Sequence, residues 1–212
     1  NNSQQYFTSH DGTYLFYQHW ASAHNPEKKA IVMFHRGHEH SGRMAHLVEE
    51  LNLPDFDFFA WDARGHGHSP GECGDSPSLG TSVADVQAFV QHIERQYGIP
   101  PENMAVIAQS VGAVLVSAWL HDYAPQIRCA VLASPAFKVK LYVPFARAGL
   151  KLMQKWRGNF FVNSYVKSHY LTRDKERQAS YDNDPLIARA ISVRILLGLH
   201  DAAERVVADA QA

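Results

Sequence analysis

Cysteine is almost missing from this chain. Only Cys73 and Cys129 occur among 212 residues, too few for a disulfide framework, and the usage fits a reducing compartment, so a cytoplasmic location is expected. Long apolar runs are missing as well. No stretch approaches the roughly 20 residues that cross a bilayer, and residues 1–6 lack the charged-then-apolar order of an export signal. Nor does either charge dominate: 20 Lys and Arg stand against 21 Asp and Glu, for a formal net charge of −1. That leaves the molecule as a whole without the field that holds a polyanion, and no nucleic acid partner is expected. The chain starts at Asn1 without a methionine, as a processed or trimmed chain would.

What is present is 46% hydrophobic residues, enough for one buried core, expected as a single domain with an insertion. Val, Ile and aromatic clusters alternate with helical patterns, the sequence sign of βαβ units around a mostly parallel sheet in an α/β fold. Tyr14–Trp20 alternates aromatic with other residues and reads as an early antiparallel strand. Ala30–Phe34 is a short, continuously apolar run of the kind buried on both faces. A helix is expected over 41–51 and a strand over 56–61, ending in a loop marked by Gly65 and Gly67. From Thr81 the period lengthens: Val83, Val86, Phe89, Val90, Ile93 and Tyr97 share a helical face, Ser82 with Asp85 reads as a capping box, and Gly98 ends the helix. Strands over 104–108 and Cys129–Ala133, both of buried type, flank a helix over 113–123. After Ser134-Pro135 the βα rhythm stops. Residues 1–136 therefore read as core, and residues 137–212 as a helical lid inserted into the sheet, with 195–199 readable as strand or helix.

The chemistry is expected at Ala108-Gln109-Ser110-Val111-Gly112, between a buried-type strand and a helix. A hydroxyl is a poor nucleophile until it is held in the open, near a base, with amide donors aimed at the oxyanion it creates. A tight strand-to-helix turn does this by straining the serine backbone, which requires small residues two positions away on either side. Ala108 and Gly112 satisfy that requirement, and Ser110 is the expected nucleophile. In a turn of this kind one oxyanion donor is the amide after the nucleophile, Val111, and the other comes from the loop after the earlier strand. Gly37, in His35-Arg36-Gly37-His38-Glu39-His40-Ser41-Gly42-Arg43, is the candidate. The histidines of that loop raise the alternative of a metal site. Their His-x-x-His-x-His spacing does not put three imidazoles on one helical face, and no Cys or carboxylate pair completes a zinc pattern. The expectation is no metal, with the histidines anchoring the loop.

Three segments, His35 to Arg43, Trp61-Asp62-Ala63-Arg64-Gly65-His66-Gly67-His68-Ser69 and the Ser110 turn, resemble in order and spacing the monoacylglycerol lipase and lysophospholipase group of the α/β-hydrolase superfamily (serine aminopeptidase S33 type). The likeness continues through Leu171-Thr172-Arg173-Asp174 and Tyr181-Asp182-Asn183-Asp184-Pro185-Leu186. It implies an α/β-hydrolase fold with a lid, truncated on its C-terminal side. It also implies a cofactor-free ester hydrolase that acts on monoacylglycerols, lysophospholipids or similar esters through an acyl-Ser110 intermediate. Two departures stand out, Ala108 for the usual glycine and Arg36 where the family usually has glycine. A narrower likeness is to the hydrolase half of bacterial proteins in which such a domain precedes a methyltransferase, so a C-terminal fused domain is an expected partner.

Between Lys138 and Arg177 ten Lys or Arg stand against two acids, while residues 1–100 carry six against twelve. Within the basic segment Leu141, Tyr142, Val143, Phe145, Leu150, Leu152, Met153 and Trp156 interleave with Arg147, Lys151, Lys155 and Arg157. Two readings follow, a lid with a merely solvated basic face and a surface that rests on anionic lipid. After Ser110 the histidines are His121, His169 and His200. None follows a convincing strand in the order Ser, acid, His, and His200-Asp201 point in different directions as neighbours in sequence. The triad acid and histidine are therefore expected beyond residue 212, this chain alone is expected to be close to inactive, and the Cys129–Ala133 strand is expected to present an open edge. The competing readings are a non-catalytic scaffold that binds an acyl ligand or partner, and an acyltransferase that uses the same serine.

Overall fold

The computed structural model describes residues 1–138 and 146–210. Six strands form the central sheet: β1 (Asn2–Thr8), β2 (Tyr14–Trp20), β3 (Ala30–Phe34), β4 (Asp57–Trp61), β5 (Met104–Gln109) and β6 (Cys129–Ala133), in spatial order β1-β2-β4-β3-β5-β6. β1 pairs antiparallel with β2, and β2 antiparallel with β4; the β4, β3, β5 and β6 neighbours are all parallel. The helices α1 (Ala45–Leu51), α2 (Leu79–Tyr97) and α3 (Val111–Tyr123) follow β3, β4 and β5. Parallel strands need such crossovers, and these cover the sheet on both faces. On one face α2 and α3 pack against Phe7, Leu15, Tyr17, Phe34, Phe59 and Trp61. On the other, Met44 and the half-buried Leu47 and Val48 of α1 meet Ile31, Met33, Phe58 and Ala60. All five residues of β3 are buried, as a continuous apolar run between two layers requires.

Three local expectations are corrected. The N-cap of α2 is Ser78, whose Oγ accepts from the Thr81 amide at 3.0 Å, and not Ser82. Asp85 caps nothing: it is fully buried, accepting two hydrogen bonds from Arg64 and one from the Ser9 hydroxyl. Its place on the buried face of α2 decides this, because a carboxylate there needs a cation more than the helix needs a second cap. The α3 helix begins at Val111, immediately after Ser110. The strand at Cys129–Ala133 forms, but Cys129, Val131 and Ala133 are exposed, Val131 by 53%. Among the described residues β6 pairs with β5 alone, so its outer edge is open.

Beyond Phe137 lie α4 (Ala146–Arg157), β7 (Phe161–Asn163), α5 (Lys175–Asp182), β8 (Ala190–Ser192) and α6 (Val193–Asp209). Residues 195–199 are thus helical. β7 and β8 form an antiparallel ribbon that strands of three residues gave no period to reveal. Leu141, Tyr142, Val143 and Phe145 lie outside the described residues. α6 packs on α3 through Leu199 and Ala203 against Val114, and Arg194 at its start grips the buried Asp75. No helix among the described residues is long and apolar enough to cross a membrane.

The capping assignment is testable by urea unfolding. Ser78→Ala should cost about 1 kcal/mol, whereas Ser82→Ala should cost at most a few tenths. Asp85→Ala should cost about 3–5 kcal/mol, the penalty for stranding a buried guanidinium.

Candidate active site

Parallel pairing of β3 with β5 puts Phe34 opposite Ala108. The loop that leaves β3 and the turn that leaves β5 therefore emerge side by side at the carboxyl end of the sheet. The connections diverge there, one running to β4 on one side and the other to β6 on the other, and such a switch point leaves a crevice. Ser110 stands at the top of β5 with φ 54° and ψ −116°, a conformation that costs a non-glycine residue on the order of 1–3 kcal/mol. Hydrogen bonds hold it there. The Ser110 amide donates to the Ala133 carbonyl at 3.0 Å, and its own carbonyl accepts from Ala113, Val114 and Ala136. Among the described residues its hydroxyl has no hydrogen-bond partner, and the side chain is half-buried.

The neighbours of Ser110 must be small for a measurable reason. A Cβ on Gly112 would lie 2.3 Å from the His35 carbonyl oxygen and 3.0 Å from that of Phe34, so the first turn of α3 presses directly on the chain leaving β3. Ala108 is fully buried within the main core cluster. Gly37 is equally close to the turn: its Cβ would meet Val111 Cγ2 at 3.1 Å. Gly37, one of the two residues named for the oxyanion, thus packs on the side chain of the other, Val111. Gln109 is exposed beside Ser110.

The histidines of the loop are its fasteners. His35 is buried, its Nε2 accepting from the Ala63 amide at 3.0 Å and its Nδ1 lying 2.7 Å from the Arg36 carbonyl. An amide only donates and a carbonyl only accepts, so the ring is neutral with its proton on Nδ1. Burial, and then nearby His66, push its pKa down to about 3. His38, at φ 70°, places Nε2 2.8 Å from the Ser164 hydroxyl, and burial lowers it to about 4. Its carbonyl accepts from Ala188. His40 reaches Asp184 at 2.8 Å. Two features were not anticipated from sequence. Asp62, fully buried, accepts from the Ser41 and His68 amides and ties the loop to the segment after β4. Asp184 and Ser164 tie it to the chain beyond residue 137. Asp62 and Asp184 both lie in segments that carried the family resemblance, but only as motif letters.

The remaining histidines are placed elsewhere. His121 lies among Asp122, Asp209 and Arg205 on the surface. His169 lies tilted against the ring of Tyr170. His200 sits on α6 with a buried Nε2 that has no partner among the described residues, while Asp201 pairs with Arg147. A cluster of His10, Asp11 and Asp85 has metal-like spacing, but Arg64 already binds both carboxylates.

The profile described as serine aminopeptidase, S33, matches residues 25–212. The chain belongs to this S33 family. It is 59% identical over 209 residues to the uncharacterized protein YnbC of Escherichia coli (strain K12), covering 99% of this chain and 36% of that protein. The monoglyceride lipase of Mus musculus is 31% identical over 196 residues, covering 89% and 61%. Among solved structures, the Paleococcus ferrophilus monoacylglycerol lipase superposes with a TM-score of 0.77 at 26% identity, covering 92% of this chain and 72% of that one. A soluble variant of monoglyceride lipase from Saccharomyces cerevisiae shares the fold, at a TM-score of 0.76 and 20% identity over 97% of this chain and 68% of that one. The chain spans about a third of the E. coli relative and about three fifths of the mouse lipase. The S33 chain therefore has the α/β-hydrolase fold, with its mostly parallel sheet.

The pKa of His35 sets a pH dependence. An unfolded imidazole titrates near about 6.5, and the folded one resists protonation. The contribution is complete above that pH and lost as pH falls toward the folded value. The thermal midpoint should drop between about pH 6.5 and 4, and nitrogen NMR at pH 5 should show His35 neutral with Nδ1 protonated.

Proposed function

We propose that this chain supplies the nucleophile and oxyanion site of a serine ester hydrolase acting on monoacylglycerols, lysophospholipids or similar carboxylic esters. The observation that carries this reading is the backbone of Ser110, strained to φ 54° at the mouth of α3 with Gly37 packed against Val111. Such strain persists only where surrounding contacts impose it, and its effect is to present a hydroxyl at the end of the sheet. A general base takes the Ser110 hydroxyl proton as Oγ attacks the ester carbonyl carbon and later gives it to the departing alcohol oxygen, while the amides of Gly37 and Val111 receive the negative charge that forms on the carbonyl oxygen. The alcohol leaves, an acyl-serine remains, and water releases the carboxylic acid. His121 is already engaged by two carboxylates, so the general base is not assigned to it. The names of the mouse and archaeal relatives, monoglyceride lipase and monoacylglycerol lipase, support an ester of glycerol as substrate.

Residues 137–212 act in this proposal as the lid, with α6 fastening it to α3. Its α4 helix exposes Leu152, Met153 and Trp156, the last by 85%, on one face at helical spacing. Arg147 is tied to Asp201 and Glu204, but Lys155 and Arg157 flank the apolar patch without an ion-pair partner among the described residues. An apolar face bordered by cations suits a helix resting on an anionic lipid surface.

In a longer chain that supplies the acid and histidine, fluorophosphonate should label one residue, and Ser110→Ala should abolish both labelling and ester hydrolysis, a loss of at least about a thousandfold; this chain alone should be close to inactive. Retained turnover in that variant would remove Ser110 from the chemistry. For the lid, Trp156→Ala combined with Leu152→Ala should lower partitioning onto vesicles containing phosphatidylserine; equal binding to neutral and anionic vesicles would refute the surface role.

A further inference from the structure

A cavity of about 540 Å³ opens beside the Ser110 turn, with Gln109 and Ala133 in its wall, a size typical of small-molecule sites. Met44, Leu47 and Ile107 give it an apolar side. Its opposite side is cationic, with Arg36, Arg43 and Arg177 against the single carboxylate Glu39. Arg43 and Arg177 are committed: Arg43 donates to the Ser180 hydroxyl and lies 3.8 Å from Asp184, and Arg177 binds Glu50 at 2.8 Å. Arg36 is not. Its Nε lies 3.4 Å from Glu39, and among the described residues its guanidinium donates no hydrogen bond.

Arg64 shows what a structural arginine looks like in this molecule. It places five hydrogen bonds on Asp11, Thr13 and Asp85. Arg36 is comparably shielded, with 15% of its side chain exposed, yet among the described residues Glu39 is its one ion-pair partner. A second group shares this condition. Tyr181 is 3% exposed, lines the same cavity, and its buried hydroxyl has no partner among the described residues. The guanidinium carbons of Arg36 and Arg43 lie 5.8 and 5.7 Å from its ring centre. Two cations thus share one ring, and unsatisfied buried donors are costly unless something accepts from them.

We propose that Arg36 and the Tyr181 hydroxyl form a subsite for an anionic group on the alcohol side of the ester, a phosphate or a carboxylate. A guanidinium fork matches either anion with two parallel hydrogen bonds, and the apolar side beneath receives the adjoining hydrocarbon. The proposal rests on the ester-hydrolase reading for the word ester, while the anion preference itself is a property of Arg36 and Tyr181.

The test is calorimetric binding in the Ser110→Ala background, so that no turnover intervenes, with three probes: 1-lauroylglycerol, 1-lauroylglycerol 3-phosphate and the lauroyl ester of glyceric acid. Both anionic probes should bind about tenfold or more tightly than the neutral one, as charge-assisted hydrogen bonds require. Arg36→Gln should erase that preference; Arg36→Lys should restore part of it, and Tyr181→Phe should weaken it. Preference for one anionic probe only would assign the subsite to that anion. Absence of any preference, or its survival in Arg36→Gln, overturns the proposal. Fluorophosphonate labelling of Ser110 in a longer chain that supplies the acid and histidine separates the two readings: labelling without anion preference sinks the subsite, and anion preference without labelling sinks the hydrolase.

Discussion

A serine forced into a left-handed backbone at the head of a helix is the constraint around which the rest of this molecule is arranged. Such a residue relaxes unless something outside it pushes back. Here the pressure comes from the neighbouring strand: the carbonyls of Phe34 and His35 occupy the space any side chain on Gly112 would need, and the Ala133 carbonyl holds the Ser110 amide. The burial of Ala108, the closeness of Gly37 to Val111 and the start of α3 at residue 111 all follow from keeping β3, β5 and α3 this near to one another. The core does the rest, because Phe34, Trp61, Phe89 and Trp119 leave little room for the sheet and helix to separate.

The loop that faces the serine is held by side chains from three directions. His35 pins its start to Ala63, Asp62 pins its end to Ser41 and His68, and His38 and His40 reach across to Ser164 and Asp184. A run of histidines that suggests metal in one dimension becomes in three dimensions a set of separate short tethers, each with its own partner. At His35 a neutral imidazole suits this use, since one nitrogen donates while the other accepts.

The parts of the fold that could be read from sequence are those whose burial imposes a period. β3 sits between two layers and is apolar throughout, and α2 shows its buried face as Val83, Val86, Phe89, Val90 and Ile93. The Ser110 turn was readable because its small flanking residues are a steric demand written locally. What escaped was decided at a distance. β1 buries only Phe7, so its polar letters gave no alternation to follow, and the β7–β8 ribbon is three residues long. Asp85 sat where a capping box would put it, and only the approach of Arg64 and Ser9 from other segments shows that its carboxylate belongs to the core. Tyr181 and Asp184 are separated by more than 130 residues from the loop they meet. Pairings over such distances leave no pattern in a single sequence.

The Ser110 turn is also tied to the outermost strand of the sheet, through its amide to Ala133 and its carbonyl to Ala136. Strand rims are where backbone structure frays first, and β6 carries Val131 exposed on an unshielded side. The rigidity of the Ser110 turn is therefore borrowed from a margin: whatever shelters that rim steadies the serine, and whatever peels it away loosens the turn without touching Ser110 itself.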